Sequence, residues 1–125
     1  MSENLQAIRF MDATHGWAAG DNSLLYTTDG GVIWVKGNSP VATNYGIDYA
    51  DALHVWAVGI GGVVYRTVDG GKNWTWKTTP TSQNLKDVDF VDLNNGWAAG
   101  RPGDLLGWGQ LTDRVGVSVV IRLAY

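Results

Sequence analysis

The chain has 125 residues, 45 % apolar and 17 % charged, with a net charge of −3, which suits a globular domain and excludes disorder. No Lys/Arg cluster offers the basic field that nucleic-acid binding needs, and zero cysteines exclude disulfides and thiolate metal sites. Neither a secretory signal nor an apolar run near the roughly 18 residues of a membrane span is present, so direct membrane insertion is not expected and localisation is unknown.

Seventeen Gly and 7 Trp, against 3 Pro, point to short strands joined by tight turns and packed by large rigid side chains. The first strand is expected at Leu5 to Phe10, where apolar residues alternate. After the polar turn Asp12 to His15 comes Gly16-Trp17-Ala18-Ala19-Gly20, whose small residues beside Trp suit a strand buried on both faces. Ser23 to Thr27, β-branched and aromatic, is a third strand. The turn Asp29-Gly30-Gly31 then delivers a fourth strand at Val32 to Lys36.

The pattern then repeats. Phe10 to Gly20 returns as Tyr49 to Gly59 and again as Phe90 to Gly100, with Trp17, Trp56 and Trp97 spaced 39 and 41 apart. Thr27-Thr28-Asp29-Gly30-Gly31-Val32-Ile33-Trp34 returns as Thr67-Val68-Asp69-Gly70-Gly71-Lys72-Asn73-Trp74, an offset of 40. Strands at Val63 to Thr67, Lys72 to Lys77 and Leu85 to Phe90 follow from the same alignment. A period of about 40 residues holding four strands is that of a β-propeller blade. The fold class is therefore all-β, with four-stranded antiparallel meanders and essentially no helix. One partial propeller over 1–125 divides into units 5–40, 41–80 and 81–125.

Each part of Thr-x-Asp-x-Gly-x-x-Trp has a mechanical reason. The carboxylates of Asp29 and Asp69 can accept the backbone N–H groups that follow, while Gly31 and Gly71 supply positive φ. Trp34 and Trp74 then pack across the blade or on its neighbour, each worth on the order of 2–3 kcal/mol when buried. Trp17, Trp56 and Trp97 are the expected repeat core.

These residues carry a resemblance. Thr27 to Trp34 and Thr67 to Trp74 resemble the Asp-box, or BNR, repeat of sialidases. Joined to Gly-Trp-Ala-x-Gly and Phe-x-Asp, the pattern over Leu5 to Gly100 is closer to the photosystem II stability/assembly factor family, whose relatives extend to bacteria that do not photosynthesise. The resemblance implies a propeller, commonly seven-bladed, that holds newly made protein partners, among them membrane-complex subunits. It implies no catalytic residue in the Asp boxes, no cofactor, and an extracytoplasmic setting (periplasm or thylakoid lumen) for relatives. Arginines on one face bind partners in that family, which makes Arg66 a candidate partner-binding residue.

The chain departs from the pattern at Val55, where the other units have Gly16 and Gly96, and after Gly100. Thr112-Asp113-Arg114-Val115-Gly116 has no Trp five residues past its Asp, and the run Val115 to Tyr125 suits either one strand or a shifted frame. About three blades do not close a propeller, which takes at least about 4. Exposed strand edges then favour self-association, or else the chain is a fragment.

Other chemistries were weighed. A glycosidase pair at Asp29 and Asp69 is disfavoured, because equivalent positions on successive blades are scaffold before they are chemistry. His15 and His54 give two metal ligands without a third, and suit histidines bonded to their own turns. Asp87, Asp89, Asp92 and Asp104 suit a solvated acidic face better than a Ca²⁺ site. Gly59-Ile60-Gly61-Gly62 lacks the Lys-Ser/Thr and helix of a phosphate loop. The rival function is a carbohydrate-binding module in which Trp76, Trp108 and Tyr45 stack on sugar rings.

Overall fold

The alternating segments and Gly turns fold into three sheets in the computed structural model, which describes residues 4–39, 42–79, 84–92, 95–100 and, as backbone, 119–123. The first sheet runs β1 (Leu5–Phe10), β2 (Gly16–Gly20), β3 (Ser23–Thr27), β4 (Val35–Lys36), each strand antiparallel to the next. The second repeats it with β5 (Asn44–Tyr49), β6 (Val55–Gly59), β7 (Val63–Thr67) and β8 (Thr75–Thr78). The third has β9 (Leu85–Asp92), β10 (Asn95–Gly100) and β11 (Val119–Leu123).

Strands one to three thus form where alternation and Gly-Trp-Ala predict them, and the fourth starts later. Val35 and Thr75 open β4 and β8, three residues beyond the expected Val32 and Lys72. The Asp turn causes this: Asp29 and Asp69 still accept N–H bonds from Ile33 and Asn73 at 3.0 Å, so those residues belong to the turn. The expectation of no helix needs one small amendment, a single 3₁₀ turn at Ile60–Gly62, which joins β6 to β7 with Gly61 at φ 71°. The tail supplies β11, which pairs Gly96 to Gly100 with Leu123 to Val119 and takes the place that β3 and β7 hold in their sheets. Trp108 and the Thr112 to Gly116 run lie outside the described residues.

The core sits between sheets. Trp17, Ala19 and Leu24 of the first pack on Ile47, Val55, Ala57, Tyr65 and Trp74 of the second. Trp56, Val58 and Val64 of the second pack on Leu85, Val88, Phe90 and Ala98 of the third. The interface is itself repeated: Trp17 lies on Tyr49 with centroids 5.6 Å apart, and Trp56 stacks on Phe90 at 5.5 Å. In each case the Trp of one blade meets the last aromatic of strand one in the next. All of β2 and β6 is buried: β6 lies between the first and third sheets, while β2 has the second sheet on one face and is covered at Gly16 and Gly20 by Phe10, Asn4 and Leu5 of its own blade.

Trp97 corrects the expectation of a uniform repeat core. It holds the position of Trp17 and Trp56, which are 2 % and 0 % exposed, yet it is 40 % exposed, and among the described residues no further aromatic packs on its outer face. Trp34 is likewise only half-buried while Trp74 is buried. Trp34 meets Phe10 of its own blade edge-on at 5.9 Å, whereas Trp74 is roofed by Gly37 of the preceding blade.

Candidate functional site

The innermost strands of the three sheets lie side by side: β1 packs on β5 and β5 on β9. Between them runs a groove of about 610 Å³ lined by Gln6 to Arg9, Tyr45 to Ile47 and Asp87 to Asp89. Arg9 Nε donates to Asp48 Oδ1 at 3.2 Å, and Nη2 lies 3.1 Å from the same oxygen. Asp48 is buried, and its other oxygen accepts the Phe90 backbone N–H at 2.7 Å. One carboxylate therefore ties the inner strands of all three blades. Lys86 Nζ sits 3.6 Å from the centre of the Tyr45 ring, a cation–π contact. Asp87 and Asp89, two apart on β9, present carboxylates on one side of that strand.

The two Thr-x-Asp-Gly-Gly turns lie beside the loops between strands one and two, where the Gly30 N–H donates to the Thr14 carbonyl and the Gly70 N–H to the Leu53 carbonyl, each at 3.0 Å. Thr27 Oγ1 donates to Asp29 Oδ1 at 2.8 Å and accepts the Gly31 N–H at 3.0 Å. In the second turn Thr67 Oγ1 donates to Asp69 Oδ1 at 2.6 Å, and Asp69 also accepts from Lys72 N, Asn73 N and Asn73 Nδ2 at 3.1, 3.0 and 2.9 Å. Gly31 and Gly71 take φ of 93° and 107°, as a left-handed turn demands. The Ile33 N–H and the Thr27 hydroxyl hold the Asp29 carboxyl below its usual range. Asp69 falls to about 2: partial burial opposes the shift, but Thr67, Asn73 and Lys72 together outweigh it.

These turns also join blades. Trp17 Nε1 reaches across to donate to the Gly70 carbonyl at 2.8 Å. Asn38 N donates to Lys72 O at 2.8 Å, and its carbonyl accepts the Trp74 N–H at 2.9 Å. Trp74 Nε1 in turn donates to the Gly71 carbonyl at 3.0 Å.

Arg66 lies on β7, its guanidinium 5.9 Å from the Trp56 ring centre, with Lys77 Nζ 5.8 Å from the same ring. It stands on the blade face that carries Trp56 and is turned toward the third sheet, whereas Arg9 lines the groove. The two described arginine side chains are not brought together. His15 and His54 each turn Nδ1 to the Asp of their own loop, Asp12 at 3.2 Å and Asp51 at 2.7 Å. Asp92 accepts from Asn95 in the same way, and Asp104 lies outside the described residues.

Of the sugar-stacking candidates, Trp76 is exposed on the outermost β8 and Tyr45 sits on the innermost β5 with Lys86 over its ring. They do not form one platform. Sequence reasoning missed the Arg9–Asp48 bridge. Its signal was present: Arg9, Asp48 and Asp89 each precede the last aromatic of strand one, and the charge reverses between the first unit and the second.

The family described as photosynthesis system II assembly factor YCF48 matches residues 39–109 of the chain. Among solved structures, YCF48 from Cyanidioschyzon merolae superposes with a TM-score of 0.68 at 25 % identity, over 78 % of this chain and 35 % of that one. YCF48 bound to D1 peptide gives 0.69 at 20 % identity over 81 % and 36 %, and an ancestral GH74 enzyme gives 0.63 at 13 % over 79 % and 16 %. The chain spans about a third of the length of the two YCF48 structures. No curated protein matches its sequence. With the blade meander, the inter-blade tryptophans and the match over more than half its residues, the chain belongs to the photosystem II assembly factor family typified by YCF48.

Proposed function

We propose that the chain is a non-catalytic scaffold that binds an extended segment of a protein partner along the inner-strand groove. The observation that carries this reading is the groove's lining, where three adjacent blades contribute Arg9, Tyr45, Asp87 and Asp89 beside backbone of strands β1, β5 and β9. Such a mixture offers both signs of charge, an aromatic surface and main-chain groups, the elements that recognise an extended peptide. Membership in the assembly-factor family supports it, as does the relative bound to D1 peptide. Arg66 and Lys77, flanking Trp56, would add a basic contact for an acidic stretch of the same partner.

Turnover is not part of this reading. A glycosidase acid needs a raised pKa, whereas Asp29 and Asp69 are depressed by donors that occupy their oxygens. Among the described residues, the carbohydrate-binding alternative keeps Trp76, at the outer rim beside Asn38 and Thr75.

The test is fluorescence anisotropy of a labelled D1 peptide titrated with the purified chain, with a set of oligosaccharides as competitors. Saturable micromolar binding, weakened several-fold by Tyr45→Ala or Asp87→Lys and untouched by sugars, is expected. Absence of saturable binding by a folded chain, or competition by an oligosaccharide, refutes the proposal.

A further inference from the structure

The two ends of the blade array are complementary to each other, and the chain's own interior supplies the template for how they fit. Inside the chain, each inter-blade contact sets a Trp from strand two of one blade on the last aromatic of strand one in the next, Trp17 on Tyr49 and Trp56 on Phe90. Trp97 is the third member of the first series, 40 % exposed. Phe10 is the first member of the second series, also 40 % exposed and flanked by Leu5 at 44 % and Ile8 at 54 %.

The first of these interfaces also carries a turn contact. Trp17 donates its indole N–H to the Gly70 carbonyl, and a Cβ added at Gly71 would meet Trp17 Cδ1 at 3.3 Å, so the glycine leaves room for that ring. At the equivalent Gly31 of the first blade, the nearest atoms are those of Trp34 and Phe10 from the same blade, at 3.6 and 3.7 Å. The turn is formed there, and among the described residues only the rings of its own blade, Trp34 and Phe10, lie on it, with no indole from a neighbouring blade. A polar contact accompanies the second of these interfaces, where Asp48 accepts the Phe90 N–H, and Asp89, exposed on β9, stands at the Asp48 position. Phe10 pairs with Gly16 in the register in which Phe90 pairs with Gly96, so its amide holds the equivalent place on the inner edge.

We infer that the outer face of the first blade binds the Trp97 face of a second copy of this chain, head to tail. In that contact Trp97 of one copy lies on Phe10 of the next, its indole N–H meets the Gly30 carbonyl, and Asp89 accepts the Phe10 amide. The interface continues the blade-on-blade packing already present twice within the chain, and it is heterologous, so it propagates to a closed ring or an open array.

Two variants that each block one end make the test. Ile8→Asp puts a carboxylate on the outer face of the first blade, and Trp97→Asp does the same on the third; both sites are exposed, so the folds are expected to survive, as circular dichroism checks. By light scattering after size exclusion, the wild-type chain is expected to run as an oligomer. Each variant alone is expected at the 13.5 kDa of one chain. Mixed, they retain one intact outer first-blade face and one intact Trp97 face between them and should give a 1:1 dimer of twice that mass. A wild-type chain that stays monomeric across the concentration range overturns the inference, as it would if these faces serve only further blades of a longer chain. Variants that still oligomerise alone, or folded variants that do not pair when mixed, overturn it too.

Discussion

Replacing Trp17 by alanine tests whether these blades are held chiefly by the ring that each lays on the next. Trp17 is 2 % exposed, lies 5.6 Å from the Tyr49 ring centre and donates to the Gly70 carbonyl at 2.8 Å. Deleting the indole removes about 200 Å² of buried surface, or about 5 kcal/mol at about 25 cal/mol per Å². The lost hydrogen bond adds about 1 kcal/mol, and partial collapse of the two sheets returns some of the total. A net loss of about 4–5 kcal/mol is expected, a large share of the roughly 5–15 kcal/mol that a domain has. Trp17→Phe, which keeps a ring on Tyr49 but loses the donor and part of the volume, is expected to cost about 2–3 kcal/mol. Trp97→Ala, measured at low protein concentration, is expected to cost only about 2–3 kcal/mol, since the residue is already 40 % exposed. Urea unfolding followed by far-UV circular dichroism reads all three. Equal losses at 17 and 97 would refute the argument that inter-blade stacking, rather than hairpin formation within each blade, carries the stability.

Asp48→Ala should destabilise by about 2–3 kcal/mol in the same assay, because it leaves the buried Phe90 N–H without its acceptor and Arg9 without its carboxylate. Gly71→Ala adds a Cβ at φ 107° that meets Tyr26 Cβ at 3.2 Å and Trp17 Cδ1 at 3.3 Å, whereas Gly61→Ala, at φ 71°, meets nothing within 4 Å. Thermal melts should therefore place the first variant well below the second, and similar midpoints would show that the turn yields. Asp12, Asp29, Asp51 and Asp69 all titrate below the ordinary 3.8 in the folded chain. Depressed carboxylates stabilise above their unfolded pKa and lose that contribution as pH falls through the folded one. Denaturant midpoints should hold steady down to about pH 4 and fall from there toward about pH 2.

The blades were legible in the sequence because strand period, turn chemistry and a 40-residue repeat agree at the same residues. Trp17 and Trp56 are buried where Gly-Trp-Ala places them. What the sequence did not show depends on neighbours rather than on local pattern. Trp97 has the same local sequence as Trp17 and a different exposure, since burial of this position is decided by the blade that follows. The late start of β4 and β8 reflects side-chain bonds from Asp29 and Asp69 that win two or three residues from the strand. Strand β5 went unmarked because Asn44-Tyr45-Gly46 lacks clean alternation; Gly46 lies where a Cβ would stand 2.9 Å from the Lys86 carbonyl of β9. β11 pairs with β10 across a long intervening segment, a contact that no short-range signal announces.

A repeat protein separates construction from recognition by position. Residues common to the units, such as Thr27 and Thr67 with their Asp partners or Trp17 and Trp56, make contacts that build one blade or seat the next. Residues that change at a fixed position do not all share that duty. The position before the last aromatic of strand one reads Arg9, Asp48, Asp89, and the strand-three position reads Tyr26 and then Arg66. The first series binds the inner strands together through Arg9 and Asp48 and leaves Asp89 exposed in the groove. The second places a cation over Trp56 where the first blade has a tyrosine beside Trp17. We propose partner contacts at Asp89 and Arg66, where substitutions should alter binding with less effect on blade stability than substitutions in the shared motifs or at Asp48.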